Sequence, residues 1–244
     1  MVEFPGPLVR ARPASTVLAL RPASSGFEVL MVRRAAGSEF MGNAFVFPGG
    51  SVDDRDRRDE AATALQWDGD PEELPWRAAA LRELHEEAGL TLTDPEGLVI
   101  PTGTADLYAA TAAAGGKLDA GRLHWVSRWI TPEGLPRRFD TRFFVAAVGE
   151  GDGTAADGVE VFDDTWVDPR RALAQGDDGS WEVPFPTRWH LEMLARHDSI
   201  GAVLDYADSI SEVQSVLPRI VIGDNGEYKV SIPGDSDYDV EVGA

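Results

Sequence analysis

The chain has 244 residues, and 42 acidic against 22 basic side chains leave a formal charge of −20. That excess repels phosphate backbones and argues against nucleic acid as a partner, and no run of about 18 apolar residues is present to argue for a membrane span. The absence of cysteine excludes disulfides, thiolate nucleophiles and cysteine zinc sites.

In chain order, Met1 to Pro13 carries arginines and prolines but no apolar core of an export leader. Residues 1–14 are therefore expected to be an N-terminal extension, and the protein to be soluble and cytoplasmic. Thr16 to Leu20 and Phe27 to Arg33 are β-rich runs separated by Pro22 to Gly26, which predicts a hairpin. A third short strand, Phe45 to Phe47, stops at Pro48-Gly49-Gly50, a turn where backbone can approach a ligand closely. Residues 53–73 are polar and open with Asp53-Asp54-Arg55-Asp56-Arg57-Arg58-Asp59-Glu60; Glu60 to Trp67 has the length of a short helix. A solvated surface excursion is the plainer expectation for this stretch, against a substrate-binding role. Pro75 then suits the first turn of the main helix and Gly89 its C-terminal end.

Within that helix, Arg82-Glu83-Leu84-His85-Glu86-Glu87-Ala88-Gly89-Leu90 sets three carboxylates at spacings of three and four. At about 3.6 residues per turn they share one face, while Leu81, Leu84 and Ala88 form an apolar stripe roughly opposite. Like charges so placed destabilise a helix by about 0.2–0.5 kcal/mol per pair, so water or a cation must compensate them. An isolated acidic face usually meets water. The strand and glycine turn upstream shift the weight toward a hard cation, Mg²⁺ or Mn²⁺, for which carboxylate oxygens are suited. His85 is expected to face sideways, and His124, His190 and His197, which lack metal spacing, are expected to be structural.

Beyond the helix, Leu98 to Ile100, His124 to Ile130, Arg142 to Val148 and Thr165 to Val167 have strand length and patterning, and a last helix is expected at Arg188 to Arg196. Trp125, Trp129 and Phe143 are candidates for pocket walls, with the core as the commoner place for strand aromatics. The tail from Asp205 holds nine acidic and two basic residues. Arg219 to Ile222 and Tyr228 to Ile232, separated by Gly223 to Gly226, predict a β-hairpin within an appendage spanning 201–244. It is expected to cover a sheet edge or to make a homodimer contact.

Arg82 to Leu90 fits R-E-U-x-E-E-x-G-U, with U aliphatic, at every fixed position, and by this segment the chain resembles the Nudix hydrolases. Their full box reads G-x5-E-x7-R-E-U-x-E-E-x-G-U. Gly50 stands 32 residues before Arg82 where the box would have 14, so an insertion of 18 interrupts it. Counting forward from Gly50 puts Asp56 at the box's first Glu, and counting back from Arg82 puts Leu74 there. Asp53, Asp54, Asp56, Glu72 and Glu73 all remain open as the substitute. The insertion, Arg138-Phe139-Asp140-Thr141-Arg142-Phe143-Phe144-Val145-Ala146, and Trp166-Val167-Asp168-Pro169 followed by Ala172-Leu173 resemble a subgroup that includes peroxisomal coenzyme A diphosphohydrolases and their bacterial relatives.

The resemblance implies an α/β/α sandwich with a mixed β-sheet over residues 15–200. It implies Glu86 and Glu87 as principal metal ligands, a backbone carbonyl from Gly50, and Glu83 as a further ligand or a residue behind the ligands. Arg82 would orient the glutamates. The general base would lie in the box or on a distal glutamate, for which Glu160 is the best candidate and Glu150 a poorer one. Arg138 and Arg142 are candidate phosphate contacts, with salt bridging as the alternative. The expected activity is metal-dependent hydrolysis of the diphosphate in a small nucleoside diphosphate derivative, coenzyme A or acyl-coenzyme A favoured, with ADP-ribose, NADH or nucleoside triphosphates as other substrates. A Nudix-like sensor that binds such a metabolite without cleaving it is the rival.

Overall fold

A computed structural model describes residues 9–34, 43–149, 152, 164–222, 228–236 and 238. The chain opens with β1 (Arg12–Pro22) and β2 (Phe27–Arg33), an antiparallel pair, followed by β3 (Phe45–Val46) and β4 (Gly49–Ser51). Residues 53–73, expected to be a surface excursion, fold into a 3₁₀ turn (Asp54–Arg57), α1 (Asp59–Ala64), β5 (Leu65–Gln66) and a second 3₁₀ turn (Pro71–Glu73). They lead into α2 (Leu74–Ala88), which carries the three glutamates. Then come β6 (Thr93–Asp94), α3 (Leu107–Ala113), β7 (Lys117–Asp119), β8 (His124–Ile130), β9 (Phe139–Ala147) and β10 (Asp164–Val167). The chain continues through α4 (Pro169–Asp177), α5 (Phe185–Leu194), α6 (Ile200–Asp208), β11 (Ser215–Val216), β12 (Arg219–Ile222) and β13 (Tyr228–Ser231).

The main sheet has the order β10-β2-β1-β9-β8-β11, with β3 beside β2 and β4 beside β1. It is mixed, because β1 runs parallel to β9 and β8 parallel to β11 while the other pairs are antiparallel. Side chains alternate across a strand, so a strand covered on both faces reads as a nearly continuous apolar run. In β1, Val17 and Ala19 join Phe144 and Ala146 against Ala78, Ala80, Leu81 and Leu84 of α2. Leu18 and Leu20 point the other way, toward Phe143, Val145, Leu191, Leu194 and Val203. The result is an α/β/α sandwich with one hydrophobic core on each side of the sheet. No helix among the described residues is long and apolar enough to cross a membrane.

Local chemistry explains α2. Pro75 occupies its first turn, where a missing N–H costs nothing. Ala78, Ala79 and Ala80 are all buried, and their small side chains let the helix lie close to β1. Gly89 ends it at φ 64°, in the left-handed conformation, with its N–H on the Leu84 and His85 carbonyls.

Some elements differ from the sequence reading. Leu98 to Ile100 forms no strand: Leu98 N–H bonds the Thr93 hydroxyl and Ile100 fills the core, so its apolar pattern reflects plugging rather than pairing. The pairing in this region is instead β7 with β5 and β6. The first strand starts at Arg12, inside the expected extension, because Arg12 N–H bonds the Arg138 carbonyl across to β9. Helix α6 lies past the expected boundary at 200, yet Val203 and Ala207 belong to the core. The tail hairpin is present as β12 paired antiparallel with β13.

His190 sits at the centre of the second core, fully buried and stacked on Phe143 at 4.1 Å between ring centroids. Its Nδ1 lies 2.6 Å from the Pro186 carbonyl, which can only accept, so Nδ1 carries the proton and Nε2 accepts from the Ser127 hydroxyl at 2.6 Å. Burial pushes its pKa down to about 3. An unfolded chain has an ordinary histidine near 6.5, so between about pH 6.5 and 3 the unfolded state binds the extra proton and stability falls as pH falls. The free energy of urea unfolding should therefore drop on acidification by up to about 1.4 kcal/mol per pH unit more in the wild type than in His190→Gln. Equal slopes would contradict the assignment.

Candidate active site

The carboxylate face of α2 meets the backbone of β4. Gly49 and Gly50 pair with Thr16 and Ser15 of β1, which fixes β4 across the helix. Gly49 N–H donates to Glu87 Oε2 at 2.9 Å. A Cβ on Gly50 would lie 2.6 Å from the Glu83 carboxyl carbon, so only glycine leaves room for that carboxylate. Gly50→Ala should accordingly cost about 1–3 kcal/mol by overpacking and lower turnover by displacing Glu83. Thermal melting and initial rates check both effects, and unchanged values in both would show the fit to be looser.

Arg82 organises the acidic groups. It is 1% exposed, and all five of its N–H donors are used. Nε and Nη2 form a fork on the two Asp56 oxygens at 2.8 and 2.9 Å, and Nη2 also reaches the Ser51 carbonyl at 2.9 Å. Nη1 donates to Glu83 at 2.6 Å and to Glu86 at 3.0 Å. Burial opposes the Arg82 charge, but Asp56 and Glu83 outweigh it and hold the guanidinium firmly protonated.

Asp56, 2% exposed, is the acidic residue that counting forward from Gly50 places at the first Glu of the box. It also accepts from its own turn's Asp53 N–H at 2.7 Å and from the Tyr108 hydroxyl at 2.5 Å. Of the other acids left open by the sequence, Glu73 pairs with Arg77 at 2.8 Å and Asp53 faces Arg55 at 3.5 Å, while Asp54 and Glu72 are exposed. The 3₁₀ turn Asp54–Arg57 therefore supplies the brace for Arg82, and Arg55 from the same turn reaches Glu86 at 3.0 Å.

The glutamates are electrostatically crowded. Burial, helped by the charges of Glu83 and Glu86, pushes the Glu87 carboxyl up to about 7, against the opposing pull of the Gly49 N–H and Arg34. Burial likewise raises Glu83, against the pull of Arg82. Among the described residues, no three His, Asp, Glu or Cys side chains converge closely enough to hold a metal by themselves. The donors present are nonetheless hard oxygens whose negative charge is poorly solvated. Such a set fits a divalent cation, which would relieve the mutual repulsion.

Beside this face lies a pocket of about 370 Å³. Thr16, Arg34 and Gly49 border it on the Glu87 side. Its walls are apolar: Phe47, Trp129, Leu135, Phe139, Phe143, Phe185, and the prolines 132, 184, 186 and 218. Trp129 and Phe143 are thus both core residues and pocket walls.

The remaining candidates fall elsewhere. Arg138 donates to the Thr131 and Val9 carbonyls at 3.0 and 2.9 Å, so it ties backbone segments together rather than facing a phosphate. Arg142 lies between the rings of Trp76 and Trp125, 3.9 and 4.3 Å from their centroids. Phe139, Thr141 and Phe143 line the pocket, so strand alternation turns Arg142 to the opposite face. His85 is buried and held by the Thr91 hydroxyl at 2.8 Å rather than side-facing, and His124 pairs with Asp208 at 2.6 Å. Glu160 and Glu150 lie outside the described residues. Sequence reading missed Tyr108 and the pocket walls of α5, for which only the aromatic and proline density of Val183-Pro184-Phe185-Pro186 is a signal.

The model of the NUDIX domain matches residues 10–185. The chain belongs to the Nudix family. This Nudix hydrolase is 26% identical over 307 aligned positions to the human acyl-coenzyme A diphosphatase NUDT19, covering 96% of the chain and 82% of that relative. The Xenopus laevis acyl-coenzyme A diphosphatase NUDT19 is 25% identical, with 88% and 72% covered. A Caenorhabditis elegans protein named as nudix hydrolase 7 is 28% identical over 195 positions; the aligned region is 75% of this chain but only 60% of that relative's length. The crystal structure of a NUDIX hydrolase from Alicyclobacillus acidocaldarius superposes with a TM-score of 0.66 at 26% identity, covering 80% of this chain and 96% of that one. The chain is thus a hydrolase of the Nudix pyrophosphohydrolase family, whose members generally use divalent metal ions.

Proposed function

We propose that this Nudix hydrolase cleaves the diphosphate linkage of coenzyme A or an acyl-coenzyme A, with Mg²⁺ or Mn²⁺. The observation that carries the catalytic reading is the five-donor grip of Arg82, which holds Glu83, Glu86 and Asp56 in one rigid group beside Gly49 and Gly50. Glu86 and Glu87 would be the principal metal holders, joined by Glu83 and the Gly50 carbonyl. Bound there, a divalent ion supplies charge neutralisation on the phosphoryl oxygens and an acidified water.

The chain's own residues do the remaining work. Arg82 positions the carboxylates, and Arg34, close enough to Glu87 to lower its pKa, adds positive charge at the pocket's entrance to the site. Glu160 remains the proposed distal proton acceptor; loss of turnover in Glu160→Gln with metal affinity intact would assign it, and full activity would remove it. The coenzyme A reading is supported by the names of the human and frog relatives and by the apolar pocket beside the carboxylates.

Mass-spectrometric product analysis tests the reading directly. The panel is coenzyme A, acyl-coenzyme A, ADP-ribose, NADH and nucleoside triphosphates, each with Mg²⁺ or Mn²⁺. Release of 3′,5′-ADP and a phosphopantetheine species is expected. Cleavage of another diphosphate alone would overturn the coenzyme A assignment, and ligand-induced thermal stabilisation without product would favour a sensor.

A further inference from the structure

We infer that the C-terminal segment around β11 to β13, outside the residues matched by the Nudix domain, forms one wall of the substrate pocket and sets the length of acyl arm that the enzyme accepts. The inference rests on the acyl-coenzyme A reading above and specifies which residues select within that class.

Pro218 and Val230 line the same pocket that Gly49 and Arg34 border. The segment presenting them is anchored at several points. Strand β11 extends the sheet parallel to β8, placing Val216 opposite Trp129, itself a pocket wall. Val216 and Ile232 pack on the second core and Ser231 is fully buried. The Tyr238 hydroxyl donates to the Leu217 carbonyl at 2.9 Å, and Arg219 Nη1 donates to the Tyr238 carbonyl at 2.7 Å. Pro218 and Val230 are therefore carried on a braced support.

The chemistry of the walls selects the occupant. Arg34 is the only charged side chain among the described lining residues, and it lies on the Glu87 side. None of those residues is Asn or Gln, the side chains that bond adenine in pairs, and apart from Arg34 the polar side chains are Thr16, Thr131, Thr141 and Thr187. The Thr131 hydroxyl already accepts from Phe139 N–H at 3.0 Å. Trp129, Phe143, Phe185, Leu135, Pro218 and Val230 give the pocket a largely apolar lining, which suits an alkyl chain.

The test uses the full chain. Isothermal titration on Glu86→Gln, with acyl-coenzyme A esters of rising chain length, should show affinity gaining up to about fourfold per buried methylene, then a plateau where the wall is met. Val230→Trp should bring the plateau to shorter chains and lower the decanoyl-to-acetyl ratio of kcat/KM at least tenfold in the otherwise wild-type enzyme. Val230→Ala should move it to longer chains, which keeps the test decisive if the tryptophan variant misfolds. Val99→Trp, on a residue 65% exposed and outside the pocket lining, should leave the ratio unchanged.

If coenzyme A is cleaved but chain length changes neither affinity nor turnover, the wall assignment is overturned and the coenzyme A reading stands. An equal loss for every chain length in Val230→Trp would place the nucleoside in the pocket and also overturn it. If the wild type neither binds nor cleaves any coenzyme A species, the parent reading fails and takes this one with it.

Discussion

Asp56→Ala should be the most destabilising single substitution in the acidic site, by about 3–5 kcal/mol, because it strands a buried guanidinium. Arg82 is buried, and Asp56 takes two of its five donors through paired bonds of 2.8 and 2.9 Å. Asp56 is itself 2% exposed, and Glu83 and Glu86 are already engaged on Nη1. For a chain of this length each kcal/mol lowers Tm by about 2–4 °C, so a fall of roughly 6–20 °C is expected in calorimetry. Tyr108, whose hydroxyl is kept protonated by burial and by Asp56, would lose its acceptor as well. A loss under about 1 kcal/mol would show that another group braces Arg82.

Glu87→Gln should act in the opposite sense on stability while abolishing function. The Glu87 carboxyl is raised to about 7 from an ordinary value of 4.5, chiefly by burial. For an acid this sign means a penalty: as pH rises from about 4.5 to 7 the unfolded chain is ionised before the folded one, and folding stability declines. At pH 8 the metal-free variant should be more stable than the wild type by on the order of 1–3 kcal/mol, with the difference vanishing near pH 4.5. The amide oxygen can still accept from Gly49 N–H. Turnover should fall by at least about 10²-fold, and thermal stabilisation by Mg²⁺ should shrink. Equal stability at pH 8 together with full activity would contradict both the burial argument and the ligand role.

The parts of this molecule legible in the sequence are those built from local chemistry. The carboxylate helix, its Pro75 start and its Gly89 stop follow from spacing and conformational preference, and the hairpins β1–β2 and β12–β13 follow from alternation around turns. For the residue completing the acidic group the sequence leaves five candidates open, because Asp56 and Arg82 stand 26 positions apart and the helix α1 between them has to fold for the pair to form. Counting forward from Gly50 does reach Asp56, since the insertion falls after it.

Other features depend on tertiary packing alone. Ile100 is apolar because it plugs the core, a demand that looks like a strand in sequence. In the sequence Arg142 is a candidate for a phosphate contact or a salt bridge, whereas strand alternation turns it between two tryptophans on the far face. The pocket gathers Thr16, Trp129, Phe185 and Val230 from four distant segments, and no short-range pattern marks such a set.

The central claim is that the Arg82-held glutamates hydrolyse a diphosphate with a bound divalent cation. Its most direct test compares wild type and Glu86→Gln, matched for folding by Tm, in Mg²⁺-dependent release of 3′,5′-ADP from acyl-coenzyme A. The Glu86 carboxylate is partly exposed and pairs with Arg55 and Arg82, so the amide should fold normally. Metal-dependent product from the wild type, with at least about a hundredfold less from the folded variant, is the predicted result; equal rates from the two proteins would contradict it.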